Sequence, residues 1–349
     1  MNHQNYINLM PEISMKKKHF NIPVFIPELA CPFQCIYCNQ KKISGCLRVP
    51  TTLEINKIIT DHLATIPKEN SETELAFFGG NFTGLKSEEQ ELYLRLVQPF
   101  ILEGRITGIR ISTRPDYINR DILILLKKYH VKTIELGAQS LDNDVLKQSG
   151  RGHRAEDVAS ASKLILEYGF SLGLQMMIGL PGDTLQKSIY TAQRITELKA
   201  DNTRIYPALV IKDTKLEQLY REGSYQPLSL DEAVTWSKEL LKIFEVANVS
   251  VIRIGLHPSE GLIKGDELVA GPFHPSFREL VLTEIWQDLL KPLFKEKSQK
   301  IEINVAPDQL NYAIGYEGRN RTFLLKHFKN VKFIPNDNLT GRDYNLNSL

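Results

Sequence analysis

The stretch Ile22-Pro-Val-Phe-Ile-Pro-Glu-Leu-Ala-Cys31-Pro-Phe-Gln-Cys35-Ile-Tyr-Cys38 reads as a short β-branched strand that runs straight into a loop carrying three cysteines. A strand that delivers a chemically loaded loop at its C-terminal end is the repeating unit of parallel α/β folds. The unit recurs downstream. Apolar, β-branched runs at Ile22–Pro27, Glu74–Phe78, Gly108–Thr113, Thr133–Gly137, Ser171–Ile178 and Thr203–Val210 predict six strands. Amphipathic stretches at Leu53–Thr65, Ser87–Leu102, Asn119–Tyr129, Ala155–Tyr168 and Thr184–Leu198 predict the crossover helices. Six consecutive units within residues 20–211 predict an α/β fold of partial (β/α)6 TIM type, open because a closed barrel of eight units takes roughly 250 residues.

Composition agrees with a globular chain and narrows its chemistry. Of 349 residues, 42% are hydrophobic and 24% charged, enough to bury a full core. Forty-three Lys and Arg against 41 Asp and Glu leave a net charge of +2, so any basic face is local. Four cysteines are too few for a disulfide scaffold, and Cys31, Cys35 and Cys38 lie together, which points to metal chemistry in a reducing compartment. The first 18 residues lack the apolar core of a secretory signal, and the best apolar runs, Ile122–Leu126 and Leu172–Leu180, fall short of the roughly 20 residues a bilayer requires. The expectation is a cytoplasmic protein without a membrane partner.

The spacing CxxxCxxC suits three corners of a cubane iron-sulfur cluster, with a fourth iron left open for a ligand. Structural zinc is the alternative, and it would make the chain a zinc-containing nucleic-acid-binding protein. Closed zinc sites take four ligands, and neither Cys46 nor the distant histidines supply a matching half. Both metals remain open on these residues alone.

Further motifs end the predicted strands. They are Gly79-Gly80-Asn81-Phe-Thr, Ser112-Thr-Arg114-Pro-Asp116, Glu135-Leu-Gly-Ala-Gln139-Ser140 and Gly173-Leu-Gln-Met-Met-Ile178-Gly179-Leu-Pro-Gly182-Asp183. In a parallel barrel all such ends open on one face, where loops assemble a site. Asp183 and Thr184 also suit the cap of the next helix, and Arg204 and Tyr206 suit the substrate side of the sixth strand. With the cysteine motif and Tyr37 before its last cysteine, the set resembles the radical S-adenosylmethionine (SAM) superfamily. The phrases GGNFTGL, STRPD, IELGAQSLD and GLPGDT are most similar to the branch holding the catalytic subunit of Elongator and its smaller bacterial relatives, over residues 20–256.

The resemblance implies a radical SAM enzyme. Cys31, Cys35 and Cys38 would bind a [4Fe-4S] cluster whose open iron chelates SAM, an electron donor such as flavodoxin or ferredoxin would reduce it, and SAM would be cleaved to a 5'-deoxyadenosyl radical. Tyr37 would pack beside the adenine, Gly79, Gly80 and Asn81 would meet the SAM ammonium, Arg114 its carboxylate, Gln139 the ribose, and main-chain groups near Ile178 the adenine. An RNA substrate, transfer RNA in particular, is implied. The Elongator subunit differs in having a longer first cysteine gap and an acetyltransferase domain; residues after 256 show no acetyl-coenzyme A signature, so acetyl transfer is not implied. A small-molecule oxidoreductase resembling oxygen-independent coproporphyrinogen oxidase shares the cysteine spacing and is the alternative within the class.

The chain divides by character into a tail over residues 1–19, the barrel core over 20–211, a core extension over 212–290 and a module over 291–349. The extension holds a helix at Leu230–Ala247, a strand at Ser250–Gly255 and a helix at Glu279–Leu290. The last segment carries ten Lys or Arg against six acids, a local charge of +4. It contains Val305-Ala-Pro-Asp-Gln-Leu-Asn-Tyr-Ala-Ile-Gly315-Tyr-Glu-Gly318-Arg319-Asn, a GxxG turn between helical stretches, which resembles a KH module. Gly315, Gly318 and Arg319 would then contact an RNA backbone, although Glu317 within the turn would repel phosphate.

Overall fold

The structure is a computed structural model and describes residues 18–26, 35–39, 42, 48–257 and 259–348. Its main sheet is parallel and follows chain order: β1 (Lys18–Ile26), β2 (Ser71–Gly79), β3 (Gly108–Thr113), β4 (Val131–Gln139), β5 (Ser171–Ile178), β6 (Asn202–Pro207) and β8 (Ser250–Ile254). The sheet therefore has seven strands where the (β/α)6 expectation had six, because the strand assigned to the core extension pairs with β6 through Asn202↔Ser250 and Ile205↔Ile254. The first and seventh strands are not paired with each other, so the barrel is open.

Helices α1 (Thr52–Thr65), α2 (Ser87–Leu102), α3 (Arg120–Lys128), α5 (Ala155–Glu167) and α6 (Leu185–Glu197) form where amphipathic periodicity placed them; the short α4 (Asn143–Gln148) was not anticipated. Thr51 starts α1 with a reciprocal capping box to Glu54, an arrangement that contributes about 1 kcal/mol. Strand residues alternate. Leu75, Phe77, Ile109, Ile111, Ile134, Leu136, Leu172 and Leu174 are all buried in the continuous apolar core. The intervening residues face the lumen and include the charged Arg110 and Glu135 as well as the small Ala76 and Gly173.

That lumen is cross-linked by charge. Arg110 on β3 donates through Nε to Glu74 Oε2 on β2 at 3.0 Å and through Nη1 to Glu135 Oε1 on β4 at 2.6 Å. Arg204 on β6 donates to Glu135 through Nε at 2.8 Å and Nη2 at 3.0 Å. Thr133 and His19 also bond Glu74, at 2.9 and 3.1 Å. A Cβ on Gly173 would lie 2.7 Å from Asn202 and 2.8 Å from Glu135, so glycine keeps the space that this network occupies.

The strand expected over Thr203–Val210 stops at Pro207, which has no N–H to extend a ladder. The chain leaves the sheet, and β7 (Val210–Ile211) pairs antiparallel with β9 (Leu268–Ala270). Helices α7 (Lys215–Arg221), α8 (Leu230–Val246), α9 (Glu260–Lys264) and α10 (Phe277–Leu290) follow within this part of the chain. Helix α10 is buried nearly all round, and the reason is that two cores share it. Leu280, Val281 and Ile285 belong to the barrel core, whereas Trp286 and Leu290 join Ile301, Ile303, Val305, Leu324 and Phe328 in a second core.

The second core is covered by a three-stranded sheet of order β11-β10-β12, with β10 (Lys300–Val305) parallel to β11 (Asn330–Pro335) and antiparallel to β12 (Tyr344–Ser348). Between β10 and β11 lie α11 (Leu310–Ile314) and α12 (Arg319–Leu324), joined by the GxxG turn. Among the described residues no helix is long and apolar enough to cross a membrane.

The buried charges make stability pH-dependent with a definite sign. Burial opposes ionisation of Glu74, but His19, Arg110 and Thr133 outweigh it and bring its pKa from an ordinary 4.5 to about 2. Its contribution is therefore complete above about pH 4.5 and disappears as pH falls through 2. Urea unfolding should show Glu74→Gln less stable by about 3 kcal/mol at pH 7. Between pH 5 and 3 the variant should lose less stability than the parent chain.

Candidate functional site

Residues 35–38 of the cysteine loop lie on an apolar bed at the C-terminal side of the sheet. Cys35 is buried and Cys38 half-buried, and the Cys38 N–H donates to the Cys35 carbonyl at 2.9 Å, closing a turn that brings the two residues together. The Ile36 N–H donates to the Ser149 carbonyl at 3.2 Å, and the Ile36 carbonyl accepts from the Leu216 N–H at 2.7 Å. Ile36 and Tyr37 pack with Val145, Leu180, Val210 and Leu216. Burial pushes the Tyr37 hydroxyl well above its ordinary pKa, keeping it neutral. Cys31 and Cys46 lie outside the described residues. Among the described residues no group of three His, Cys, Asp or Glu could hold a metal ion.

A residue that sequence reasoning missed completes this arrangement. Arg151, in the loop after α4, donates through Nη1 to Cys35 Sγ at 3.3 Å and through Nη2 to the Gly137 carbonyl at 2.7 Å. A Cβ on Gly137 would stand 2.8 Å from that Nη2, so the glycine at the end of β4 makes room for the guanidinium. The available signal is the run Gly150-Arg-Gly-His153, which follows a short helix rather than ending a strand. His153 is buried beside Arg151; burial first, then Arg151 and Arg114, lower its pKa to about 3, so the imidazole is neutral.

The sequence-selected residues separate into those that shape the loops and those that face the opening. Gly79 has φ +130°, and a Cβ there would sit 1.7 Å from the Ile26 carbonyl oxygen, so β2 ends in contact with the strand that feeds the cysteine loop. Gly80 follows in a half-buried bend. Asn81 is buried and its Oδ1 accepts from the Thr113 hydroxyl at 2.6 Å and the Arg114 N–H at 3.3 Å, tying the ends of β2 and β3. Arg114, fully buried, directs Nε and Nη2 to the two oxygens of Asp116, each at 2.9 Å, and Nη2 also reaches the Arg151 carbonyl at 2.9 Å. The fork expected for a carboxylate of SAM is thus engaged by a carboxylate of the chain itself.

Gln139 has φ +65° at a bulge in the β4–β5 pairing, and its Oε1 accepts from Gln175 Nε2 at 3.2 Å. Ile178 is buried, and its carbonyl accepts from the Ala208 N–H at 2.9 Å. Asp183 caps the turn: it accepts from the Gly179 N–H, the Thr184 N–H and the Ser188 hydroxyl, and burial raises its pKa to about 6.

The C-terminal turn lies elsewhere. Gly315 is buried against α10, where a Cβ would meet Thr283 and Asn320 at 2.9 Å, and the Tyr316 N–H donates to Thr283 Oγ1 at 2.8 Å. Gly318 has open space around it, and Arg319 is exposed with its guanidinium 5.9 Å from the Tyr316 ring centroid.

An open parallel barrel that gathers two cysteine thiols, an arginine and glycine turns at its strand ends defines an enzyme built around a cofactor held at that mouth. Residues 26–195 match the model of the radical SAM superfamily and residues 200–287 that of the radical SAM C-terminal domain, and the chain belongs to the radical SAM superfamily. An uncharacterized protein of Methanocaldococcus jannaschii is 29% identical over 234 residues, covering 63% of this chain and 70% of that one. The tRNA uridine(34) acetyltransferase of Dehalococcoides mccartyi is 36% identical over 128 residues, 36% of this chain and only 28% of that protein. Among solved structures, the archaeal Elp3 of Methanocaldococcus infernus superposes with a TM-score of 0.62 at 21% identity, covering 79% of this chain and 64% of that one, a likeness of fold. The expected resemblance to Elongator-type proteins is borne out.

The cofactors of the family are a [4Fe-4S] cluster and SAM, and the residues present fit them: two soft sulfur donors share one turn, beside a guanidinium that would offset the negative charge of cluster-bound sulfur. Gly79→Ala should lower stability by about 3 kcal/mol or more, measured by urea unfolding, since backbone strain and a backbone clash coincide. It should also leave the chain without the brown iron-sulfur absorbance after anaerobic reconstitution.

Proposed function

We propose that this enzyme modifies a nucleotide of RNA, drawn from the transfer RNA pool. The observation that carries the reading is the 36% identity over 128 residues with a protein named for action on a tRNA uridine. Because the match spans 28% of that protein, its acetyl transfer is not brought across.

Cys31, Cys35 and Cys38 would hold the cluster, and Tyr37, Gly79, Gly80, Asn81, Gln139 and Ile178 would line the SAM side. When bound, the cluster and SAM supply one-electron chemistry and a carbon radical able to remove hydrogen from an unreactive position. A flavodoxin or ferredoxin would serve as electron donor. The chain's own contribution is positional. Arg151 places positive charge against Cys35 Sγ, Arg114 holds the Arg151 carbonyl, and Asp116 holds Arg114. The apolar bed around Ile36 and Tyr37 excludes water from the thiol side.

RNA backbone contact is assigned to the exposed side of the module over residues 291–349, where Arg319, Arg321, Lys326 and Lys329 are all exposed. Gly318 leaves room for a phosphate there, whereas Gly315 packs inward and would act through the turn's shape.

The deciding experiment compares modified nucleosides in total transfer RNA with and without the gene: loss of one nucleoside is expected, and restoration should require all of Cys31, Cys35 and Cys38. An unchanged nucleoside profile would overturn the reading and favour a small-molecule substrate. In filter binding of total transfer RNA by the full chain, Arg319→Gln with Arg321→Gln should weaken binding about tenfold. The slope of log affinity against log salt should flatten by about 2.

A further inference from the structure

The lumen floor has a consequence for what the barrel receives. Arg204 crosses it from β6: its Nε and Nη2 are taken by Glu135 on β4, and its guanidinium lies over the Phe78 ring of β2 at 5.0 Å from the centroid. Its remaining nitrogen, Nη1, donates to the Tyr206 hydroxyl at 3.3 Å. Arginine can only donate, so the Tyr206 oxygen is the acceptor and its own O–H must point elsewhere. Among the described residues no acceptor for that O–H is found, and Tyr206 is half-buried rather than surface-exposed.

Tyr206 is the next residue after Arg204 on the same face of β6, one step nearer the mouth. Its register partner on β5 is Met177, which packs with the group containing Cys35, Tyr37 and Cys38. The free O–H therefore sits between the charged floor and the cofactor side. Charge narrows the ligand further. Arg110 and Arg204 are matched by Glu74 and Glu135, so neither offers an uncompensated charge to a substrate, whereas Arg253 on β8, the register partner of Arg204, is held by the Gly255 carbonyl and His257.

We propose that Tyr206 is the substrate-positioning residue of the barrel, its O–H held by Arg204 and donated to an uncharged acceptor, the carbonyl oxygen or ring nitrogen of a nucleobase. Arg204 and Glu135 act through Tyr206 and do not touch the substrate. The nucleobase identity rests on the RNA reading above; the role of Tyr206 as a donor to a neutral acceptor does not.

The test uses the full reconstituted chain and its Tyr206→Phe variant, with two probes taken from cells lacking the gene: total transfer RNA and the small-molecule extract. The quantity read is the increase in 5'-deoxyadenosine formation that each probe causes, with cluster absorbance and SAM affinity measured alongside. Transfer RNA should stimulate the parent chain. In the variant kcat/KM for the stimulating pool should fall about 10-fold or more, with cluster absorbance and SAM affinity within twofold of the parent. A variant that keeps full stimulation, or one that loses cluster or SAM binding together with it, overturns the role of Tyr206. Stimulation by the extract alone overturns the RNA reading, and the variant's response to that extract still decides the role of Tyr206.

Discussion

Four charges from four strands, three of them buried and Arg204 half-buried, hold the barrel at the width its site needs. Glu74, Arg110, Glu135 and Arg204 alternate in sign around the lumen, and each bridges strands that backbone pairing alone would leave free to splay. An open sheet lacks the closing ladder that fixes a full barrel's curvature, so side chains must supply the closure. Burying ions is costly unless each is paired and hydrogen-bonded. Here burial works against Glu135, yet Arg204 and Arg110 together hold its pKa below the ordinary range, so the ion pair survives without water.

The same floor divides the molecule by function. Above it, the strand ends present Gly79, Gly137, Gln139, Met177 and Tyr206. A second tier of polar contacts then orients the mouth. Asp116 holds Arg114, Arg114 holds the Arg151 carbonyl, and Arg151 reaches both Gly137 and Cys35. The chain of contacts links β3, β4 and the cysteine loop, so the thiol environment is set by strands far from it in sequence.

Helix α10 couples this barrel to the C-terminal module. Its faces serve two cores at once, and Thr283 receives the Tyr316 N–H on its hydroxyl and an Asn320 side-chain N–H on its carbonyl. The GxxG turn is therefore seated on the barrel rather than free on a tether. Gly315 meets Thr283, while Gly318 and Arg319 remain outside, which explains why two glycines of one motif have different surroundings.

Much of this was determined by sequence alone. Period-two apolar runs specify strands, capping residues such as Thr51 specify helix starts, and CxxxCxxC specifies a set of soft ligands; each is a local signal whose physics acts within a few residues. The seventh strand, the sharing of α10, the pairing of Arg114 with Asp116 and the contact of Arg151 with Cys35 were decided only by the tertiary structure. In those cases the partner is supplied by another element, from two residues away for Asp116 to 116 for Cys35, and a charge or an apolar side chain does not encode which partner it will meet. Sequence determined what chemistry the chain carries. Packing decided which groups are spent on holding the fold and which, like the Tyr206 hydroxyl, face the opening.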